Sequence, residues 1–332
     1  MTKPEVSAVI VAWNAGTALA TCAGSLRAAA LRADTRLQFV IVDNASTDGA
    51  VDELGLDDGD VQIRNPLNAG YGVAAAQGMA RAAGKWILLV NPDVTVDPTF
   101  FESLLSVARN APPETATLVP EMRFAVHREI VNCRGLSVDD TGIPAEVDAG
   151  LPATEVSDFQ DLVGGSSGCC LLRADTVRNV GGPEPAFFAY LEDVDLALRL
   201  RRAGYAATFV PAAIAWHEGS MSTGRRSPLK EFLVARNRRV LFRLDGPHTV
   251  RARFWRTVTD AGHGVVTSMH GAGLAPWAGR FDALRLRRYT AFVRRSREAQ
   301  EPDLRPVPLA PRVTLRRTLA RRRAIDSAHE ER

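Results

Sequence analysis

Between residues 6 and 119 short β-rich apolar runs alternate with helix-patterned ones, and this alternation limits the possible folds more than any other feature. The runs read "VSAVIVAW" then "ALATCAGSLRAAAL", "LQFVIVDN" then a short helix from "STDG", "VQIRN" then "GYGVAAAQGMARAAG", and "KWILLV" then "DPTFFESLLSVARN". Strands separated by helices pair through crossovers, so a mostly parallel sheet flanked by helices is predicted. A ligand of such a sheet sits beyond the carboxyl ends of the strands. The polar residues that close the runs are therefore the binding candidates: Trp13 and Asn14, Asp43 and Asn44, Arg64 and Asn65, and Asn91 with Asp93.

The chain has 332 residues, 46% hydrophobic and 24% charged, enough for one large domain with an appendage and too apolar for extended disorder. Its four cysteines, Cys22, Cys133, Cys169 and Cys170, lack metal-ligand spacing and are predicted to be buried thiols in a reducing cytoplasm. The start, "MTKPEVSAVIVAW", enters a strand pattern without the charged lead and cleavage site of a secretory signal. No run reaches the roughly 18 to 20 apolar residues that span a bilayer; "GHGVVTSMHGAGLAPWAG" is broken by His, Gly and Pro. A cytoplasmic location is expected.

Beyond residue 120 the pattern loosens, and "NCRGLSVDDTGIP" reads as a turn-rich β excursion. "GGSSGCCLLRAD" reads as a Gly-rich loop entering a strand, followed by a short helix to Gly181. "FFAYLEDVDLALRLRRAGY" then places Glu192, Asp193 and Asp195 at the head of an amphipathic helix. Carboxylates favour a helix N-terminus, and Asp195 can pair with Arg199 or Arg202. A carboxylate at a cleft rim can also act as a general base. "AATFVPAAIAWH" returns as a strand that delivers His217. Residues 1–225 are assigned to one α/β domain, and residues 226–332 to a basic, mainly helical extension with a Pro-rich and Arg-rich end. Residues 280–332 hold fifteen Arg against seven Asp plus Glu, a charge of +8, which leaves −5 for the rest of a chain whose total is +3. A basic tail on an acidic body suggests an anionic partner; a membrane surface is favoured over nucleic acid, because no nucleic-acid recognition motif accompanies the charge.

Single motifs leave alternatives open. Asp93, after the strand "WILLV", can contact a hard divalent cation or simply form a turn, and Asp97 before Pro98 reads as a helix cap. Asp43 can accept hydrogen bonds from a ribose hydroxyl or base N–H, or can order its own turn. "NPLNAGYG" puts Asn68, Gly70 and Gly72 at a helix entry, where backbone could approach a nucleotide closely. A nicotinamide enzyme would need G-x-G-x-x-G after the first strand, and "AWNAGTALA" does not supply it.

Taken in order, "VIVAWN", "VIVDNASTDG", "NPLNAGYG", "LLVNPDV", "GGSSGCCLLRAD", "FFAYLEDVDLALRLRRAGY" and "WHEGSMSTG" resemble the family-2 glycosyltransferases of the GT-A fold, in particular their bacterial rhamnosyltransferase-like branch. The resemblance spans residues 6–224. It implies a Rossmann-like, mostly parallel α/β sheet flanked by helices and followed by a C-terminal helical extension. It also implies a metal-dependent, inverting transferase. By position, Asp43 resembles the family's nucleotide-binding Asp, with Trp13, Asn14, Asn44, Arg64, Asn68 and Gly70 around the donor. Asn91 and Asp93 occupy the family's D-x-D motif, and Asn91 departs from it where many members have Asp. Asp193, beside Glu192, resembles the catalytic base, and His217 a residue that with Asp93 holds Mg²⁺ or Mn²⁺. Gly165, Ser166 and Ser167 resemble the loop on the acceptor side. "ARNRR" resembles an Arg-Asn pair after the catalytic domain; Arg236 could reach a diphosphate, but a solvated or membrane-facing charge is favoured. The implied donor is dTDP-L-rhamnose and the implied acceptor a cell-surface glycan or its polyprenyl-diphosphate-linked precursor. A UDP-hexose or UDP-N-acetylhexosamine donor, a small secondary metabolite as acceptor, and a silent sugar-nucleotide-binding scaffold stay open. Relatives that pair through C-terminal helices make a homodimer plausible.

Overall fold

The computed structural model describes residues 3–155, 162–219, 227–245 and 249–300. The Pro-rich and Arg-rich end from residue 301, and residues 220–224 of "WHEGSMSTG", lie outside the described residues. The first half alternates as the sequence predicts: β1 (Val6–Ala12), α1 (Thr17–Arg32), β2 (Leu37–Asp43), β3 (Val61–Arg64), α2 (Tyr71–Arg81), β4 (Trp86–Val90), β5 (Val94–Val96), α3 (Phe100–Asn110) and β6 (Thr115–Phe124). Three short strands follow, β7 (Val131–Cys133), β8 (Leu136–Val138) and β9 (Pro144–Glu146), then β10 (Cys169–Arg173), α4 (Ala174–Val180), α5 (Glu192–Arg202) and β11 (Ala206–His217). The described C-terminal part is helical: α6 (Pro228–Leu244), α7 (Val250–Thr267), α8 (Ala275–Asp282) and α9 (Arg287–Gln300).

The main sheet runs β3-β2-β1-β4-β10-β6-β11-β5, with β7 on β6. The pairs among β3, β2, β1 and β4 are parallel, as is β6 with β11. β10 enters antiparallel between β4 and β6, so the sheet is mixed, with six of its nine strands sharing one direction. Both faces are covered, which is why β1 reads as an unbroken apolar run rather than an alternating one. Ala8 and Ile10 of β1 pack with Leu19 and Leu26 of α1 and with Phe100, Phe101 and Leu104 of α3. Val9 and Val11 point the other way, onto Ala74, Ala75 and Met79 of α2 and Leu196 and Leu200 of α5. Each of the larger side chains so buried, Val, Leu, Ile, Phe or Met, is worth about 1.5–3 kcal/mol relative to an exposed one. All four cysteines are buried and free, as expected.

The short helix predicted from "STDG" does not form; residues 44–54 are turns. Besides local turn bonds, their polar groups are drawn to the loop after β1: the Thr47 N–H donates to Asn14 Oδ1, and Asp48 accepts from the Gly16 N–H. Tertiary partners outcompete a helical turn too short to nucleate alone.

α5 is buried on nearly every side. One face meets the sheet, and Val194, Ala197 and Leu198 pack against Leu136 and Val138 of β8 and Val240, Leu241 and Leu244 of α6. The extension is thereby built into the core around the helix that carries the three carboxylates. Among the described residues no helix is long and apolar enough to cross a membrane.

Candidate active site

The strand ends are aligned before any side chain acts. Register places Ala12 beside Asp43 and Asp43 beside Arg64, so the loops after β1, β2 and β3 leave the sheet side by side. Asparagines stitch these loops together. Buried Asn44 donates from Nδ2 to Asn68 Oδ1 at 2.8 Å, while its own Oδ1 accepts from Asn65 Nδ2 and the Ala69 N–H, each at 3.0 Å. Asn68 Oδ1 also accepts the Gly70 N–H at 2.9 Å. Gly70 itself has φ +87°, and a Cβ there would fall 2.6 Å from the Phe188 ring, so glycine is required on both counts. Asn14, also at positive φ, accepts from the Thr47 N–H at 2.8 Å, and Trp13 beside it is exposed.

Asp43 is buried, and its Oδ1 accepts the Ser46 N–H at 2.8 Å, so it orders its own turn. Arg64 neighbours Asp43 in the sheet, but its guanidinium pairs with Asp52.

The second cluster forms where β11 returns. β11 pairs antiparallel with β5, opposing His217 to Val94, and this brings the imidazole onto Asp93 just before β5. His217 Nε2 lies 3.3 Å from Asp93 Oδ1, and Nδ1 lies 3.2 Å from Asn132 Oδ1 of β7. Burial opposes ionisation of Asp93, but the hydrogen bond and charge of His217, with the N–H groups of Asp93 and Gly219, hold its carboxyl below the usual range. A carboxylate oxygen and an imidazole nitrogen on rigid strand ends suit a divalent cation that takes its other ligands from water and a diphosphate. Among the described residues no group of three His, Cys, Asp or Glu is placed to hold a metal ion, and Asp93 with His217 is the pair that could contact one.

The third cluster joins the second through the glycine-rich loop of residues 164–168. The Asn91 N–H donates to Gly168 O at 3.0 Å, and the Ser167 N–H donates to Asp193 Oδ2 at 3.2 Å. Tyr71 of α2 steadies the loop by donating to Ser167 O at 3.1 Å. Asp193 faces a largely apolar recess lined by Leu89, Cys170, Leu172 and Leu196. That environment pushes its carboxyl up, against the pull of the Ser167, Val194 and Asp193 N–H groups and the Ser166 hydroxyl. Glu192 is buried, and its Oε2 has no hydrogen-bond partner. Burial, with Asp193 alongside, pushes Glu192 well above the usual carboxylate range and favours its neutral form.

Asp195 is different. It is fully buried and accepts from Arg199 Nε at 2.9 Å, the partner expected from sequence, while Arg202 pairs with Asp245. A further partner comes from α9: Arg297 donates to both Asp195 oxygens, at 2.7 and 3.2 Å, and to Glu184 Oε2 at 3.3 Å. Burial alone would raise Asp195, but Arg199 and Arg297 hold it below the usual range. Asp195 is thus occupied in ion pairs, unlike Asp193.

The segment before α5 explains the role of "ARNRR". Phe188, Tyr190 and Leu191 all have positive φ, a run that non-glycine residues rarely adopt. Asn237 of α6, fully buried, donates from Nδ2 to the carbonyls of Phe187, Ala189 and Tyr190 at 2.7–2.8 Å. Arg236 donates to the carbonyls of Ala186 and Phe187 at 3.1 and 2.6 Å. Neither expectation for Arg236 holds, because its guanidinium is directed at backbone rather than at solvent or a ligand. Arg297 and Asn132 escaped sequence reading, and Asn237 was read only as half of the Arg-Asn pair, with no role assigned. An Asn inside a basic helix was the one available signal, since its short amide is favoured there only when it has partners.

Loops at the carboxyl ends of β1, β2 and β3, an Asp-His pair, and a half-buried carboxylate framed by a glycine-rich loop define the GT-A class of sugar-nucleotide transferases. The chain belongs to the glycosyltransferase-like family 2, whose sequence model matches residues 4–241. It is 30% identical over 240 residues to the N-acetylglucosaminyl-diphospho-decaprenol L-rhamnosyltransferase of Mycobacterium tuberculosis (strain CDC 1551 / Oshkosh), covering 65% of this chain and 77% of that protein. The fold resembles that of a Pyrobaculum calidifontis mannosyltransferase solved with GDP-Man and Mn²⁺, at TM-score 0.53 and 14% identity over 90% of this chain and 86% of that one. It also resembles GalNAc-T7 solved with UDP, GalNAc and Mn²⁺, at TM-score 0.58 and 15% identity over 91% of this chain and 59% of that one.

Proposed function

We propose that the protein is an inverting glycosyltransferase that moves L-rhamnose from dTDP-L-rhamnose to a hydroxyl of a polyprenyl-diphosphate-linked glycan precursor. The observation that supports this most is the hydrogen-bonded path from Asn91, two residues before Asp93, through Gly168 and Ser167 to Asp193, which couples a diphosphate-side segment to a carboxylate with no ion-pair partner among the described residues. The rhamnosyl donor and lipid-linked acceptor are supported by the activity named for the mycobacterial relative.

In this reading Asp193 takes the proton of the acceptor hydroxyl as its oxygen bonds to the anomeric carbon and the bond to the diphosphate breaks. Its raised basicity suits that task, and burial of Glu192 beside it disfavours a second negative charge there. Ser166 and Ser167 orient Asp193, and Gly165 lets the loop approach the acceptor. Trp13, Asn14, Asp43, Asn44, Arg64, Asn68 and Gly70 bound the nucleotide pocket. Asn91 orients the diphosphate. Asp93 and His217 would hold Mg²⁺ or Mn²⁺, which supplies charge stabilisation to the departing nucleoside diphosphate. Residues 1–225 contain the transfer chemistry and, of the described helices in 226–332, α6 and α9 brace it, at the cytoplasmic face of a membrane.

A thermal-shift panel of dTDP-, UDP-, GDP- and CDP-sugars with and without Mg²⁺ or Mn²⁺ tests the donor. Binding to the folded state alone at a hundredfold excess over Kd stabilises by about 2.7 kcal/mol. A metal-dependent shift with dTDP-L-rhamnose is expected; a shift only with a UDP-sugar overturns the donor assignment, and none with any sugar nucleotide overturns the reading.

A further inference from the structure

Exposed large apolar side chains are not scattered evenly over this protein. Of the sixteen among the described residues, eleven fall between Val250 and Phe292, on helices α7 to α9 and the turns that join them. Along α7 and the kink after it they recur at helical spacing: Val250, Phe254, Val258, then Val265 and Met269, with Trp255 alongside. Isolated surface apolar residues are ordinary, whereas a continuous row with two aromatics marks a contact surface.

The charge on the row says what it contacts. Arg251 and Arg253 are exposed within it. Between residues 249 and 281 the chain has a single carboxylate, Asp260, and that one is buried and paired with Arg239 and Arg280. The face therefore presents arginine and apolar side chains and no carboxylate, the chemistry of a helix lying in the interface of an anionic bilayer. A second copy apposed through the same face would bring its arginines towards arginines. Residues 301–332 do not complement it either, since they hold eight Arg against five Asp plus Glu.

We propose that α7, through Phe254, Trp255, Val258 and Met269 flanked by Arg251 and Arg253, is the surface by which this protein lies on anionic lipid. This moves the membrane contact from the Arg-rich end, where sequence alone suggested it, to a helix packed on α6 and α8. The inference rests on and deepens the lipid-linked acceptor reading, because a protein lying on the bilayer shares the surface that carries such an acceptor.

The test is co-sedimentation of the full chain with phosphatidylcholine vesicles containing either no anionic lipid or about a third phosphatidylglycerol. The expected result is at least tenfold tighter partitioning onto anionic vesicles, weakened by high salt, and a loss of at least tenfold in a Phe254→Ser/Trp255→Ser variant. Quenching of wild-type tryptophan fluorescence by brominated lipid, reduced in Trp255→Phe, gives a readout that survives misfolding of the double variant. Equal binding to neutral vesicles, or binding unchanged by these substitutions, overturns the proposal. A concentration-dependent dimer abolished by Phe254→Ser also overturns it and assigns the face to a second copy. The thermal-shift response to dTDP-L-rhamnose is measured on the same variants: retained response with lost vesicle binding isolates the lipid face, whereas vesicle binding without any sugar-nucleotide response sinks the transferase reading instead.

Discussion

Asp193 keeps both carboxylate oxygens on backbone donors, Oδ2 on the Ser167 N–H at 3.2 Å and Oδ1 on the Val194 N–H at 2.8 Å, while remaining only partly buried. It is thus oriented with no ion-pair partner among the described residues, whereas Asp195, two residues on, is held by two arginines. Asp193→Asn is expected to lower kcat by about 10²- to 10⁴-fold, the usual weight of a general base, with the sugar-nucleotide thermal shift retained. Because the Asp193 carboxyl is raised, the acid limb of kcat/KM should lie above the ordinary aspartate range, with activity rising as pH increases through it. Steady-state rates across pH test both statements. Near-wild-type kcat in the Asp193→Asn variant would remove Asp193 from the chemistry.

At the scale of elements, the placement of α5 depends on α6. Residues 187–191 enter α5 through left-handed backbone at Phe188, Tyr190 and Leu191, which is costly by about 1–3 kcal/mol at each such position. Asn237 compensates by bonding three of the carbonyls that this path turns inward. Asn237→Ala leaves those carbonyls without their donor and should cost about 2–4 kcal/mol in stability. It should also reduce kcat more than sugar-nucleotide affinity, since the distorted segment leads to Glu192 and Asp193 rather than to the loops after β1 to β3. Chemical denaturation and a kcat/KM split would check this; an unchanged melting midpoint would mean that the strained turn stands unaided. Most helices and strands were legible from apolar periodicity, including β11 and its delivery of His217, but the short strand β5 and the break between α8 and α9 were not. The "STDG" turn was not, because its capping groups bond to Asn14 and Gly16, thirty-odd residues away in sequence.

Across the whole molecule, a charge network ties α9 to the segment around α5 and to the end of α6. Arg297 of α9 reaches Asp195, Glu184 and Asp245, and Arg202 also pairs with Asp245. Arg297→Ala leaves Asp195 fully buried with Arg199 as its remaining cation, and should destabilise by about 3 kcal/mol in denaturant unfolding. A change below about 1 kcal/mol would show that α9 docks by apolar packing alone. The sign with pH follows from the direction of the shift: the folded-state Asp195 carboxyl is depressed, so its contribution is present above the unfolded value of about 3.9 and is lost as pH falls through the folded one. The wild type should therefore lose more stability than Arg297→Ala on acidification. The sequence by itself determined the alternating sheet, the order of the loops at its carboxyl edge and the residue types placed there, since apolar period and turn chemistry are local properties. Only the tertiary structure decided which carboxylate stays available, that Asn237 holds the turn before α5, and that α7 turns an apolar, acid-free face outward. Those outcomes depend on which distant side chain arrives at each carboxylate, carbonyl or helix face, and sequence spacing does not encode that arrival.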